Sequence, residues 1–103
     1  MPDPRIFPIA SSVTTFATVT NVSAVAMAAN PYRGDADLTN DSTCMIYLAR
    51  GNAAVVGSGI PLNPNGGTYH IGTNNLFLGE VYAIADCEEQ EECNLAIEEG
   101  NGS

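Results

Sequence analysis

Short stretches of alternating or uniformly apolar residues recur along the chain, separated by residues that favour turns. In residues 80–85 the odd-numbered positions, beginning with Val81, point to one side of an extended segment and the even-numbered positions to the other. The run TCMIYLA at residues 43–49 is almost uniformly apolar, which is typical of a strand covered on both faces. These patterns predict strands at residues 13–20, 22–28, 37–40, 43–49, 53–56, 68–71 and 80–85. A helix is the alternative for the alanine-rich 22–28, although it would lack a charged face.

The clearest turn lies at residues 63–67, N-P-N-G-G, where Pro64 fixes φ and the two glycines can take the positive φ of a tight turn. Short strands at intervals of about ten residues, with turns between them, predict an all-β fold. We expect a single-domain antiparallel β-sandwich or barrel-like fold. Its core is expected to contain Ile46, Leu48, Val81 and Ala83.

Composition divides the chain into three parts. Residues 1–10 are proline-rich and are expected to form an extended N-terminal arm. Residues 11–85 are expected to form the β-sandwich domain, and residues 86–103 an acidic C-terminal segment. Residues 86–99 hold seven of the twelve acids, so this segment is either solvated or docked through Leu95 and Ile97.

The N-terminal arm carries the candidate partner-binding residues Ile6, Phe7 and Ile9. A chain of 103 residues that is rich in alanine and has no tryptophan builds a modest core, which a partner or self-association is expected to complete. Proline lacks an amide donor, so the arm is suited to lying across a surface. We expect its apolar side chains to fill a groove on a neighbouring subunit, either another copy or a shell protein. A disordered chain end is the alternative.

The charge balance argues against several classes of partner. Twelve acids against three arginines and no lysine give a net charge of −9. Affinity for phosphate comes mainly from Lys and Arg, so we expect no nucleic-acid partner. The same charge repels anionic membranes, and no apolar run approaches the roughly 18 residues of a membrane span. The N-terminus lacks the basic start and long apolar run of an export signal.

His70 is the only histidine. A catalytic base needs a nucleophile and an orienting acid near it in space, and no G-x-S-x-G turn is present. Alternation places His70 on the outward face of a strand, opposite to Tyr69 and Ile71. We therefore predict no catalytic residue and no enzyme activity, with a small hydrolase built on His70 as the contrary hypothesis.

The three cysteines, Cys44, Cys87 and Cys93, are an odd number, which disfavours a disulfide framework and predicts free thiols. A disulfide closing residues 87–93 is one alternative. A soft-metal site at Cys87 and Cys93 is another, but the close second pair of ligands typical of structural zinc is missing.

A short polar stretch offers oxygen ligands of the kind that calcium loops use, at Asp35, Asp37, Asn40 and Asp41. Its spacing departs from the EF-hand pattern, so a polar turn is the preferred interpretation and no cofactor or metal is predicted. Residues 33–35 spell the cell-adhesion tripeptide R-G-D. We expect Arg33 to pair with a nearby carboxylate instead.

Several turn-and-strand motifs between residues 29 and 85 resemble those of a known class of proteins. They are N-P-x-R at 30–33, Leu38 with Asn40 and Ser42, I-Y-L at 46–48 ending at Gly51, G-I-P-L at 59–62, G-G-x-Y-x-I at 66–71 and N-L-F-x-G-x-V-Y-A-I at 75–84. Together they resemble small β-structured virion proteins of tailed phages, some of which are head decoration or cement proteins.

The resemblance implies a β-sandwich that binds the outside of a phage capsid and stabilises it, often as an oligomer. The expected partners are the major capsid protein and further copies of the chain, and the expected location is the capsid exterior after synthesis in the host cytoplasm. The alternative function is a sugar- or calcium-binding module of a phage tail or fibre. An exposed row of aromatic residues would favour the sugar-binding alternative.

Overall fold

The computed structural model of the protein describes residues 9–88 and 91–102. Within them the chain forms eight β-strands and one 3₁₀ turn at Thr73–Asn75. The strands are β1 (Ile9–Val19), β2 (Ala24–Met27), β3 (Arg33–Asn40), β4 (Met45–Arg50), β5 (Ile60–Leu62), β6 (Thr68–Ile71), β7 (Val81–Asp86) and β8 (Cys93–Gly102). No helix in this part of the chain is long and apolar enough to cross a membrane.

The strands form two antiparallel sheets of four strands each. The first sheet has the order β1-β8-β3-β6 and the second has the order β2-β7-β4-β5. One face of each sheet packs into a shared core, with Leu38, Leu95 and Ile97 from the first sheet and Ile46 and Leu48 from the second. The predicted all-β class is therefore confirmed, and the architecture is a β-sandwich.

The alternation in β4 and β7 decides which side chains enter the core. Ile46, Leu48, Val81 and Ala83 are all buried, as predicted. The other face of β4 is only half-buried. The prediction that residues 43–49 are covered on both faces is therefore wrong, since only one sheet packs against this strand and an antiparallel sheet needs cover on one side alone.

Strand β8 corrects the expected division of the chain at residue 85. It lies between β1 and β3, and it pairs with β1 over residues 93–102 and with β3 over residues 95–101. Leu95 and Ile97 enter the core, so the docked alternative describes this part of the acidic segment. The many acids of this segment suggested a solvated tail, but those of β8 lie outside the apolar centre of the core. Glu98 lies on the outer face, and Glu99 lies beside Arg33.

The N-terminal boundary also moves. Ile9 and Ala10, assigned to the arm, belong to β1, and Ile9 pairs with Gly102. The side chain of Ile9 lies against Gly34 and Gly100 of its own sheet, where an added Cβ would meet it at 2.6 and 2.7 Å. Glycines at these two positions therefore make room for Ile9 within the same chain.

Two other elements differ from the predictions. Residues 53–56 do not form a strand, and the Ala54 amide donates a hydrogen bond of 2.8 Å to the Ser23 hydroxyl. Strand β3 begins at Arg33, earlier than expected. The alanine-rich segment forms β2, which confirms the predicted strand over the alternative helix.

The turn at residues 63–67 joins β5 of the second sheet to β6 of the first. Positive φ occurs at Asn65 and Gly66, not at both glycines. Gly67 is needed for another reason, because a Cβ there would lie 2.3 Å from the Asn63 nitrogen. The turn is anchored to β3 by a 2.8 Å hydrogen bond from the Gly66 amide to the Asn40 carbonyl.

Candidate functional site

The outer face of the second sheet is apolar. Its centre is formed by side chains that point away from the core on β4 and β7, with one residue from each edge strand: Met45, Tyr47, Ala49, Tyr82, Ile84, Val25 and Pro61. We call this set the apolar face. Val25 is 43% exposed, and the side chains of β4 and β7 in the set are half-buried. Contiguous apolar surface of this kind is typical of protein contact sites.

The outer face of the first sheet is polar and acidic. Asp35, Asp37 and Glu98 point outward there, and Asp37 lies directly opposite Glu98 across β3 and β8. We call this set the acidic face. Glu98 accepts hydrogen bonds from the Ser12 and Thr14 hydroxyls of β1, and these bonds hold the pKa of its carboxyl below the ordinary value. The carboxylate is therefore charged at neutral pH.

His70 lies on this acidic face, exposed as predicted, and opposite to Ile71 of the core. Its Nδ1 is 2.6 Å from Asp37 Oδ1. Its Nε2 edge lies over Gly72, where a Cβ would come within 2.8 Å. The structure thus gives His70 an acid partner, while the hydrogen bonds described for the ring include no serine or threonine hydroxyl.

The four oxygen-bearing residues considered for calcium do not converge. Asp35 and Asp37 point outward from β3, whereas Asn40 is fully buried on the inner side. Asp41 lies beyond the end of the strand. Both the calcium loop and the polar turn are therefore wrong for residues 35–40, because these residues form a strand and alternation separates their side chains.

The candidate partner-binding residues are only partly described. Ile6 and Phe7 lie outside the described residues. Ile9 is 39% exposed and rests partly on Gly34 and Gly100 of its own chain. The expected contact of this side chain with a neighbouring subunit therefore concerns only its exposed part.

Arg33 lies at one end of the sandwich and is only 2% exposed. Its Nε donates a hydrogen bond of 2.6 Å to Glu99 of β8, which confirms the expected carboxylate partner. The other guanidinium nitrogens donate to the carbonyls of Phe77, Gly79 and Ala28. We call this the arginine end. Because Arg33 is enclosed, the R-G-D tripeptide does not present its arginine at the surface.

The opposite end brings the three cysteines together. Their sulfur atoms all lie within 4.8 Å of one another. Cys44 and Cys87 adjoin the cross-strand pair of Met45 and Asp86 in the second sheet, and Cys93 is the first residue of β8 in the first sheet. We call this the thiol end. From the sequence, only Cys87 and Cys93 were considered together. Cys44 lies at an even-numbered position, like the inward-pointing Ile46 and Leu48, and this alternation could have indicated that Cys44 also points inward.

Burial keeps these thiols protonated, and Glu91 adds to the effect at Cys44 and Cys87. Burial, with Cys93 and Glu91 adding to it, raises the pKa of Cys44 from 9.0 to about 11. Burial likewise raises the pKa of Cys87 and of Cys93, although a hydrogen bond between these two offsets part of the rise for Cys87. All three cysteines are free, as predicted. Such thiols are weak nucleophiles at neutral pH.

A buried amide fixes the backbone beside Cys44. The Asn40 Nδ2 donates to the carbonyls of Cys44 at 2.7 Å and of Leu62 at 2.9 Å. Its Oδ1 accepts a hydrogen bond of 2.6 Å from the Ser42 hydroxyl. Asn40 therefore ties β3 of the first sheet to β5 of the second next to the thiols.

Comparison of the chain with models of protein families, with curated proteins and with solved structures finds no match. The resemblance to phage virion proteins therefore rests on the turn-and-strand motifs of residues 29–85 alone.

Proposed function

We propose that the chain is a structural, non-enzymatic virion protein, a decoration or cement subunit that binds the outside of a phage capsid and stabilises it. The observation that carries the proposal is the separation of an apolar face from an acidic face on opposite sides of one thin sandwich. A subunit that lies flat on a shell needs one adhesive side and one side that remains hydrated.

The apolar face supplies the adhesive side. Tyr47 and Ile84 are cross-strand partners at its centre, and Tyr82 lies opposite Ala49. Covering these half-buried side chains with a shell protein yields roughly 25 cal/mol per Å² of apolar surface removed from water. Tyrosines suit such contacts because the ring is buried while the hydroxyl keeps a hydrogen bond.

The acidic face suits the side turned to solvent. Asp37 and Glu98 lie opposite each other there, and the chain as a whole carries a net charge of −9. This charge keeps decorated particles apart in solution and disfavours binding to nucleic acid and to anionic membranes. The partners we propose are the major capsid protein and further copies of this chain, on the capsid exterior after synthesis in the host cytoplasm.

Mass spectrometry of particles purified from a phage that encodes the chain tests the location. The chain should be present at a fixed ratio to the major capsid protein and should be removed by surface treatment that leaves the shell closed. Its absence from purified particles would end the proposal.

A pair of matched variants tests which face binds. Val25→Glu places a charge at the edge of the apolar face. Phe16→Glu places a charge on β1, on the outer face of the opposite sheet, where Phe16 is 65% exposed. Both residues lie on edge strands. Val25→Glu should lower retention on particles at least tenfold, while Phe16→Glu should bind as the unmodified chain does. Equal retention of both variants would contradict binding through the apolar face.

The N-terminal arm remains a proposed second contact through Ile6, Phe7 and the exposed part of Ile9. Deleting residues 2–8 leaves β1 complete, since the strand begins at Ile9. The shortened chain should fold with an unchanged melting temperature but leave particles faster, or form fewer oligomers in sedimentation. Unchanged retention and oligomeric state would show that the arm makes no such contact.

A second candidate function is sugar binding on a phage tail or fibre. It is favoured by Tyr47 and Tyr82, which point outward from neighbouring strands on the apolar face as diagonal neighbours. Glycan-array binding that is lost in Tyr82→Ala, together with absence of the chain from heads, would support this function over decoration.

A further inference from the structure

We propose that Cys44, Cys87 and Cys93 form a binding site for a thiophilic divalent cation of the Zn²⁺ class, which ties the two sheets together at the thiol end. The site is independent of the role on a capsid. It rests on the convergence of three thiols, with Cys44 just before β4 and Cys87 just after β7 of the second sheet, and Cys93 in β8 of the first.

Strand parity aims the three thiols at one point. Cys44 lies two residues before the buried Ile46, and Cys87 lies two residues after the buried Ala85, so both continue the inward phase of their strands. Cys93 is itself buried at the start of β8. Two ligands therefore come from the end of one sheet and the third from the sheet packed against it.

The distances suit coordination after a small contraction. Zinc–thiolate bonds of about 2.3 Å in a tetrahedral site place sulfur atoms about 3.8 Å apart. The sulfur atoms here lie within 4.8 Å of one another. Cys44 precedes the first residue of β4 and Cys87 follows the last residue of β7, so a contraction of about 1 Å needs no movement within either strand.

The charges around the thiols favour a cation. Glu91 acts on Cys44 electrostatically, and its carbonyl accepts a 3.8 Å hydrogen bond from the Cys87 sulfur. The described salt bridges of Arg33 lie at the opposite end of the sandwich. A divalent ion would compensate the acidic surroundings, with the Glu91 carboxylate or a water molecule as the fourth ligand.

Binding proceeds by exchange of protons for metal. Each of the three S–H groups releases a proton to solvent as its sulfur forms a bond to the cation, and no electron is transferred. Binding should therefore strengthen as pH rises. The fixed Cys44 backbone, held by the buried Asn40 amide at 2.7 Å, lowers the conformational cost of bringing the ligands together.

Titration of the full, reduced chain with Co²⁺ tests the site. We expect one Co²⁺ per chain, a thiolate-to-metal charge-transfer band in the near ultraviolet and the visible bands of tetrahedral cobalt, all displaced by Zn²⁺. Cys44→Ser and Cys87→Ser should each weaken binding at least tenfold. Glu98→Gln, on the acidic face, is the matched control and should bind normally.

A second measurement guards against variants that fail to fold. In the unmodified chain, Zn²⁺ should raise the melting temperature and protect all three thiols from a thiol-reactive dye, and a chelator should reverse both effects. Absence of the charge-transfer band with three titratable thiols would overturn the proposal. So would a disulfide between two of the cysteines in freshly purified protein.

Discussion

The arginine end and the thiol end of the sandwich both join one sheet to the other, but they do so with different chemistry. At the arginine end, the Arg33 guanidinium on β3 donates hydrogen bonds to Glu99 of β8 and to three carbonyls of the surrounding loops. At the thiol end, three S–H groups, which form only weak hydrogen bonds, lie close together. Beside them the buried Asn40 amide donates to the carbonyls of Cys44 and Leu62.

The difference shows how a small sandwich closes its open ends. A guanidinium can satisfy several acceptors at once, so the arginine end is complete within the protein. Thiols are poor donors and acceptors, so the side-chain hydrogen bonds at the thiol end come mainly from Asn40 and Ser42 beside the cysteines. The arginine end is thus locked by the chain itself, whereas the thiol end is open to stabilisation from outside.

The largest expected effect comes from breaking the arginine end. Arg33→Ala removes the guanidinium that donates to Glu99 and to three carbonyls, and removal of one partner of a buried ion pair costs roughly 3–5 kcal/mol. Arg33→Lys should recover only part of this, because one ammonium cannot serve acceptors in different directions. Urea unfolding of both variants measures the loss. A cost below about 1 kcal/mol for Arg33→Ala would show that the loops hold this end without it.

A core substitution between the two ends provides the reference. Leu48 is fully buried on β4, and Leu48→Ala should lower the free energy of unfolding by about 2–5 kcal/mol. Denaturant unfolding of this variant checks the value. A loss smaller than about 1 kcal/mol would place β4 at the periphery of the cooperative unit.

At the thiol end, Asn40→Ala removes the buried amide that donates to the Cys44 and Leu62 carbonyls, and the Cys44 carbonyl keeps only the Ser42 hydroxyl at 3.2 Å among its described side-chain donors. The expected cost is roughly 1–3 kcal/mol, smaller than at the arginine end because the lost group is neutral. Ser42→Ala is the comparison variant, since it removes the hydroxyl that bonds the Asn40 amide oxygen and the Cys44 backbone but leaves both carbonyl contacts of Asn40 in place. If Asn40→Ala costs no more than Ser42→Ala, Asn40 does not tie the sheets together.

The smallest effect concerns alkaline pH in the metal-free protein. The pKa of Cys44 is about 11 when folded and 9.0 ordinarily, so the unfolded chain loses its proton first as pH rises. The contribution of this thiol to the free energy of unfolding is fully present below pH 9.0 and is lost as the pH rises towards the pKa of the folded state. Unfolding midpoints at about pH 8 and about pH 10, with a chelator present, should fall more steeply for the unmodified chain than for Cys44→Ser.

The Cys44→Ser variant is needed because deprotonation of Tyr82 at alkaline pH also lowers the free energy of unfolding. Its pKa is raised by the neighbouring Glu80 and by burial. Equal slopes for Cys44→Ser and the unmodified chain would show that Cys44 does not cause the alkaline loss, which would then come from Tyr82, Cys87 or Cys93, whose pKa values are also raised.

Local pattern was sufficient for much of the second sheet. The alternation of residues 80–85 predicts the buried set of β7, and the apolar run at 43–49 predicts β4, because the direction of a side chain in a strand depends only on its parity. The same parity places His70 outside and Ile71 inside. These features need no knowledge of which strand lies alongside.

Pairing between distant parts of the chain required the tertiary structure. Val13 on β1 lies opposite Glu99 on β8, and residues so far apart in sequence leave no local signal of their pairing. The acids of residues 86–99 have the composition of a solvated tail, yet Glu99 is held by Arg33 and Glu98 by two hydroxyls of β1. Composition counts charges, whereas the fold decides what each charge faces.

The sequence alone determined that this protein is all-β, with a core built from alternating positions, because side chains in a strand alternate with a period of two. Only the tertiary structure decided that the last strand lies inside the first sheet and that Cys44 joins Cys87 and Cys93. The first depends on strand pairing within one sheet, and the second depends on the packing of one sheet against the other. That packing brings together side chains whose separation along the chain carries no information about their separation in space.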